Sequence, residues 1–264
     1  MPMENTLRQL AIQSLAFAVI GVIVYILTKA WGFHYRGYSF TNPKQASLYG
    51  IAAILGGWLL VSAFFLMAAR SQGASQIPSG KREYGVNAVV GQAIIALIAF
   101  GPALLAMRWR KEPWASAGIS RYNFSRALIV GLLLDVFSVA GIFFSGNRSF
   151  SETVSRLTIS HFWALLHYAI VGFGEEFAFR GYLQTRMVAW LGTWQGWIVT
   201  SVLMALAHIV QRVAMMGLSS LEAVLSSAAL IPISLLMGYV MLRTENVIAS
   251  GLFHTFADWV NTLS

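Results

Sequence analysis

Long uncharged stretches recur along this chain, and they restrict its possible folds more than any other feature. A transmembrane helix needs about 20 consecutive apolar residues to cross the ~30 Å hydrocarbon layer. Six runs of about this length contain no Asp, Glu, Lys or Arg, namely residues 9–28, 45–69, 84–107, 157–174, 187–211 and 223–242. Two more runs, 127–146 and 246–263, each contain a single aspartate, Asp135 and Asp258. We therefore predict about eight transmembrane helices.

The overall composition agrees with a membrane protein. Hydrophobic residues make up 57% of the chain and charged residues 11%, whereas soluble domains contain about 25% charged residues. We predict an all-α, polytopic integral membrane protein whose helix bundle encloses a polar cavity within the membrane. The first apolar run is too long for a signal-peptide core and has no persuasive cleavage site, so we expect it to be a retained anchor.

Cysteine content and charge restrict the possible chemistry and partners. The chain contains no cysteine, which excludes disulfides, thiolate nucleophiles and cysteine-ligated metals. Its net charge of +8 arises mainly from loops between the spans, including the basic, aromatic-rich segment 108–126. This pattern is typical of anchoring at the membrane interface. We therefore expect the lipid bilayer, and not nucleic acid, as a partner.

Ionisable residues inside the predicted spans are concentrated in the second half of the chain. We therefore divide the chain into an anchoring half, residues 1–150 with helices 1–4 and the basic segment, and a functional core, residues 151–264 with helices 5–8. A charge at the bilayer centre costs roughly 2.5–3.5 kcal/mol. Groups retained at that cost are candidates for function.

The stretch GFGEEFAFRGYLQ carries three such groups, Glu175, Glu176 and Arg180. Glu176 and Arg180 are four residues apart, so on a helix they share a face and can form an ion pair. Glu175 lies about 100° further round the helix and is left to face a cavity. The alternative is that all three form a charge cluster at a helix end near the headgroups.

Two later helices supply histidine and aspartate. His208 lies in an apolar run, where a single histidine is more often a satisfied core residue than a functional one, and His254 and Asp258 share a helical face. If the helices converge, these side chains and Glu175 provide a base for a water molecule and donors for a developing oxyanion. The sequence leaves the roles of Asp135 and His167 open.

Three short motifs in the second half resemble a known family. EEFAFR (175–180), MALAH (204–208) and HTFAD (254–258) are similar, in order and spacing, to the motifs of the CPBP intramembrane proteases. This family includes type II CAAX-processing enzymes and bacterial bacteriocin-processing or Abi-like relatives. The resemblance covers about residues 158–262, and it departs from the family pattern at Met204, where the family usually has phenylalanine.

The resemblance implies an activity and a role for each matching residue. It implies an endopeptidase that cleaves a membrane-associated or lipid-modified polypeptide, in a multi-pass protein of a bacterial inner membrane or a plasma membrane. Glu175 would be the general base, and His208 would help to hold the water. His254 and Asp258 would stabilise the oxyanion, and Glu176 with Arg180 would support the site.

The sequence leaves alternatives open for both metal use and function. We favour catalysis without a cofactor, although Glu175, His208 and His254 would provide three ligands for zinc with one open position. A non-catalytic immunity or scaffold protein with the same fold is the main alternative function. A proton-coupled transporter is disfavoured because no inverted repeat is visible in the sequence.

Overall fold

A computed structural model describes residues 3–71, 83–145 and 149–263, and within these ranges the chain is helical and contains no β-strand. Three short elements of other helical type are the 3₁₀ turns Trp114–Ala117 and Val260–Leu263 and the π-helical segment Phe177–Gln184. The α-helices are α1 (Met3–Ala30), α2 (Pro43–Ser71), α3 (Val86–Trp109), α4 (Phe124–Ser145), α5 (Phe150–Ser155), α6 (Ile159–Glu176), α7 (Thr185–Leu191), α8 (Thr193–Leu206), α9 (Ile209–Met216), α10 (Ser220–Ala228), α11 (Ile231–Thr244) and α12 (Val247–Trp259).

All eight predicted runs coincide with helical structure. Among the described residues, five segments are long and apolar enough to cross a membrane, namely Leu10–Ala30, Pro43–Met67, Val86–Trp109, Thr193–Ala214 and Ser220–Thr244. The remaining predicted runs form α4, α6 and α12. Large hydrophobic side chains such as Leu15, Leu59 and Leu97 are exposed on the outside of the bundle, where lipid would cover them. The protein is therefore an all-α, polytopic membrane protein, as predicted.

The run 187–211 is not one continuous helix. Gly192, with φ of +87°, separates α7 from α8, and His208 lies in a turn between α8 and α9. The Nδ1 atom of His208 bonds the carbonyl of Met204 at 3.0 Å, while its backbone N–H bonds Ala205. The imidazole thus takes the carbonyl that the backbone N–H would use in an α-helix. The prediction that His208 lies within a helix was wrong for this reason.

The run 223–242 is also interrupted, as its proline predicts. Helix α10 ends at Ala228, and Pro232 lies in the first turn of α11. Proline has no N–H to donate and fits best in the first turn of a helix. Ser234 lies about one turn into α11.

The two halves of the chain share a hydrophobic core. Val24 of α1 and Leu134 of α4 pack in one buried cluster with Val240 of α11 and Phe253 of α12. The boundary at residue 150 therefore remains a prediction about function, because helices from both sides of it pack together.

Helices α6 and α12 approach closely at small residues. A Cβ atom on Gly172 would lie 2.8 Å from both the backbone nitrogen and the hydroxyl of Thr255. A Cβ atom on Gly251 would similarly lie 2.6 Å from the ring of Phe173. Small residues permit this kind of close packing between transmembrane helices, and it brings the end of α6 against His254.

Replacement of Gly172 by alanine should destabilise the protein. The added methyl group forces α6 and α12 apart, and overpacking of this kind costs about 1–3 kcal/mol. Gly91→Ala is the matched control, since no described atom lies within 4 Å of the corresponding Cβ position. Thermal unfolding in detergent should show a lower Tm for Gly172→Ala and an unchanged or raised Tm for Gly91→Ala. Equal Tm values would contradict the proposed tight contact.

A buried arginine attaches the basic segment to the second half of the chain. The guanidinium of Arg186 is fully buried, pairs with Glu112, and lies 3.7 Å from the ring centroid of Tyr182. It also donates to the hydroxyl of Ser116 at 3.3 Å. These contacts of Arg186 hold the loop 110–118 against the π-helical segment.

Candidate active site

Glu176 and Arg180 form an ion pair in the interior of the bundle. The Nε atom of Arg180 lies 3.4 Å from Oε2 of Glu176, and both side chains are 0% exposed. Every residue of the π-helical segment Phe177–Gln184 is buried. This burial excludes a solvated charge cluster at a helix end for these two residues. Regions of π-helix are frequent at functional sites.

Glu175 lies in a different environment from its neighbour. Its side chain is 21% exposed, and its Oε2 atom lies 3.7 Å from Nε2 of His208 and 4.0 Å from Nε2 of His254. These separations are too long for direct hydrogen bonds, and at such distances one water molecule can bridge two polar groups. The structure thus brings together residues from α6, α12 and the turn before α9.

The ring of His254 faces three carboxylates. Its Nδ1 atom lies 3.2 Å from Oε1 of Glu176, and its Nε2 atom lies 3.6 Å from Oδ2 of Asp258 and 4.0 Å from Oε2 of Glu175. The ion pair with Arg180 keeps the Glu176 carboxylate ionised, and an ionised carboxylate can only accept a hydrogen bond. Nδ1 of His254 is therefore the donor in this contact. Glu176 therefore contacts both Arg180 and His254. The second contact could not be predicted from the sequence, because these residues are 78 positions apart.

The hydrogen bond of His208 determines which of its nitrogens faces Glu175. A carbonyl oxygen can only accept, so Nδ1 donates to Met204 at 3.0 Å. In the neutral ring the Nε2 atom then carries a lone pair, and it points toward Glu175. The main chain of Met204 thus has a defined contact in the site, and its side chain is buried against the π-helical segment.

Exposure increases from the ion pair toward the end of α12. Glu176 is 0% exposed, Glu175 and His208 are 21% and 20% exposed, and Asp258 is 40% exposed. The site is therefore closed at the π-helical segment and open near Asp258.

A further polar residue of the second half contacts the ion pair and is bonded to a second serine. The hydroxyl of Ser234 accepts from Nη2 of Arg180 at 3.0 Å and donates to the carbonyl of Ser201 at 2.9 Å. Neither serine was a candidate in the sequence, since serine is common in transmembrane helices.

Asp135 and His167 belong to other parts of the bundle. Asp135 on α4 is 4% exposed, and neither carboxylate oxygen has a hydrogen-bond partner among the described residues. Nδ1 of His167 bonds the carbonyl of Ala88 on α3 at 3.2 Å, and its ring packs edge-on against Tyr84. No described contact joins either residue to Glu175.

Glu175 lies slightly further from His208 and His254 than the ligands of a zinc site lie from one another. Within the described ranges, no group of three or more His, Asp or Glu side chains is arranged to hold a metal ion. Zinc bonds of about 2.0–2.2 Å to nitrogen and oxygen need ligand atoms closer together than the 3.7 Å and 4.0 Å measured from Glu175 to His208 and His254. Zinc use by Glu175, His208 and His254 would require these side chains to move.

The fold and the cluster together define a polytopic membrane protein with a Glu, His and Asp site enclosed by its last helices. Residues 156–260 match the family model described as Rce1-like, Type II CAAX prenyl endopeptidase Rce1-like. This match covers the part of the chain that carries the three motifs, and it supports their resemblance to the CPBP intramembrane proteases. No curated protein and no solved structure matches the chain.

Proposed function

We propose that this protease hydrolyses a peptide bond of a membrane-associated, lipid-modified polypeptide with a water molecule that Glu175 activates. The different environments of the two glutamates are the main support for this proposal. Glu176 is buried and neutralised by Arg180, whereas Glu175 is partly exposed and faces two imidazoles at 3.7 Å and 4.0 Å. Glu175 is thus the carboxylate able to take a proton.

The water would lie between Glu175 and His208. Both the carboxylate and the bare Nε2 of His208 are acceptors, so a water between them donates both of its protons. Its lone pairs then point away from these residues, toward a substrate carbonyl. As attack proceeds, Glu175 takes one proton and can return it to the leaving amine, as general acid–base catalysis requires.

His254 and Asp258 would stabilise the charge on the carbonyl oxygen. His254 gives one proton to Glu176, so donation to an oxyanion requires a second proton on Nε2. The three facing carboxylates stabilise that doubly protonated ring. A preorganised donor in a water-poor site is worth about 2.7–4 kcal/mol of transition-state energy in a studied protease. Asp258, at the open end, would orient Nε2 or donate when protonated.

The family match and the location of the site support this substrate class. The matching family is described as a CAAX prenyl endopeptidase, and the site lies between membrane helices. A polypeptide held in the bilayer by a lipid chain would bring its peptide bond to this depth. A non-catalytic immunity or scaffold protein remains the alternative.

Cleavage of a synthetic peptide by the purified protein in liposomes tests the proposed substrate class. The probe is a farnesylated CAAX peptide, and its matched control is the same peptide without the lipid. We expect faster cleavage of the farnesylated peptide by the wild-type protein. Equal cleavage of both peptides would exclude lipid recognition, and no cleavage of either would contradict the proposed activity.

Chelation should leave the activity unchanged if Glu175 acts without zinc. The same assay after treatment with a strong zinc chelator should give the untreated rate, and mass spectrometry of the intact protein should reveal no bound zinc. Loss of activity that added zinc restores would contradict Glu175 as the base and would indicate that Glu175, His208 and His254 hold a zinc ion, which would supply the activation of water.

A further inference from the structure

Ser234 contacts the ion pair beside the proposed site. Its side chain is 0% exposed, and its hydroxyl accepts from Nη2 of Arg180 at 3.0 Å. Among the described residues, Nε and Nη1 of Arg180 have no hydrogen-bond partner. Ser234 is thus the side chain that fixes the rotation of this guanidinium, while Glu176 supplies the opposite charge at 3.4 Å.

A chain of buried contacts continues from Ser234 to the imidazole of His254. The two carboxylate oxygens of Glu176 face different partners, Oε2 toward Arg180 at 3.4 Å and Oε1 toward Nδ1 of His254 at 3.2 Å, and the carboxylate also interacts with the hydroxyl of Ser250. A rotation of the guanidinium would therefore turn the carboxylate and, with it, the imidazole. Such positioning matters because small misplacements of catalytic groups cause large losses of rate.

We propose that Ser234 is a positioning residue that holds His254 in its reactive orientation through Arg180 and Glu176. The proposal rests on the proposed endopeptidase function for its kinetic consequence. Its structural consequence, the orientation of the His254 ring, can be measured without any activity.

Ser201 provides a matched control. Ser234 donates to the carbonyl of Ser201 at 2.9 Å, and Ser201 donates to the carbonyl of Ser234 at 3.3 Å. Both side chains are fully buried and connect α8 to α11. Of these two hydroxyls, Ser234 alone accepts from Arg180. Alanine at either position removes one link between the helices, but only Ser234→Ala removes the contact with the guanidinium.

The kinetic test compares Ser234→Ala and Ser201→Ala in liposomes with the farnesylated peptide. We expect Ser234→Ala to lower kcat about tenfold, which corresponds to ~1.4 kcal/mol of activation free energy, with KM unchanged. We expect Ser201→Ala to retain wild-type kcat. In a Glu176→Gln background, Ser234→Ala should have little further effect, because coupled residues are not additive. Equal losses in the two alanine variants would overturn the proposal and leave Ser234 a structural link.

Nitrogen NMR of the histidine rings tests the same inference independently of activity. The His254 signals, assigned by their loss in His254→Gln, should shift in Ser234→Ala and stay in place in Ser201→Ala. Ser234→Thr keeps the hydroxyl and should restore the wild-type signals. If Ser234→Thr does not fold, the comparison of Ser234→Ala with Ser201→Ala still tests the proposal. Unchanged His254 signals in folded Ser234→Ala would overturn the proposal, whereas an inactive wild-type protein would refute the proposed function alone.

Discussion

Glu175→Gln should reduce kcat for peptide cleavage roughly a thousandfold, in the middle of the 10²–10⁴-fold range of general acid–base catalysis. The amide keeps the size of the side chain and removes its ability to take a proton. Glu175 is 21% exposed and has no direct hydrogen bond to either histidine, so the variant should fold normally. Steady-state kinetics in liposomes measures the effect.

Glu83→Gln is a suitable control for this experiment. Glu83 is an exposed glutamate before α3, outside the contacts of the site. We expect Glu83→Gln to cleave the peptide at the wild-type rate. Both Glu83→Gln and Glu175→Gln should unfold at the wild-type temperature. If the kcat of Glu175→Gln exceeds a tenth of the wild-type value, another group activates the water.

Arg180→Met should have the largest effect on stability. It leaves Glu176 charged and fully buried without its cation, and the removal of one partner from a buried ion pair costs about 3–5 kcal/mol. We expect a much lower yield of folded protein and a lower Tm in detergent.

The double variant Glu176→Gln with Arg180→Met separates stability from function. It removes both charges together, and replacement of a whole buried ion pair is often neutral, so much of the lost stability should return. Activity should stay low, because the Glu176 carboxylate no longer holds His254. A double variant as unstable as Arg180→Met would show that the ion pair is not the source of the effect.

The sequence predicted the fold class well because lipid imposes a simple rule on a spanning segment. Uncharged runs such as 9–28 and 45–69 can be read directly, and the single aspartates of 127–146 and 246–263 did not obscure them. The spacing of Glu176 and Arg180 likewise predicted their pairing, since both lie on neighbouring turns of one segment.

The sequence did not reveal contacts between distant segments or local breaks in helices. The turn at His208 depends on a bond from its own ring to Met204, which the hydropathy pattern does not register. The contact of Glu176 with His254 and that of Arg180 with Ser234 depend on how α6, α11 and α12 pack. Residue types alone do not specify which side chains meet in that packing.

The most direct test of Glu175 as the catalytic group compares membrane proteomes, because it assumes no particular substrate. Cells that carry the wild-type protein are compared with cells that carry Glu175→Gln at equal abundance. We expect at least one membrane-bound precursor to accumulate in the Glu175→Gln cells, and its cleaved form, with a new terminus, to occur only with the wild-type protein. Identical proteomes, with the cellular phenotype intact in Glu175→Gln, would contradict it and indicate a non-catalytic immunity or scaffold protein.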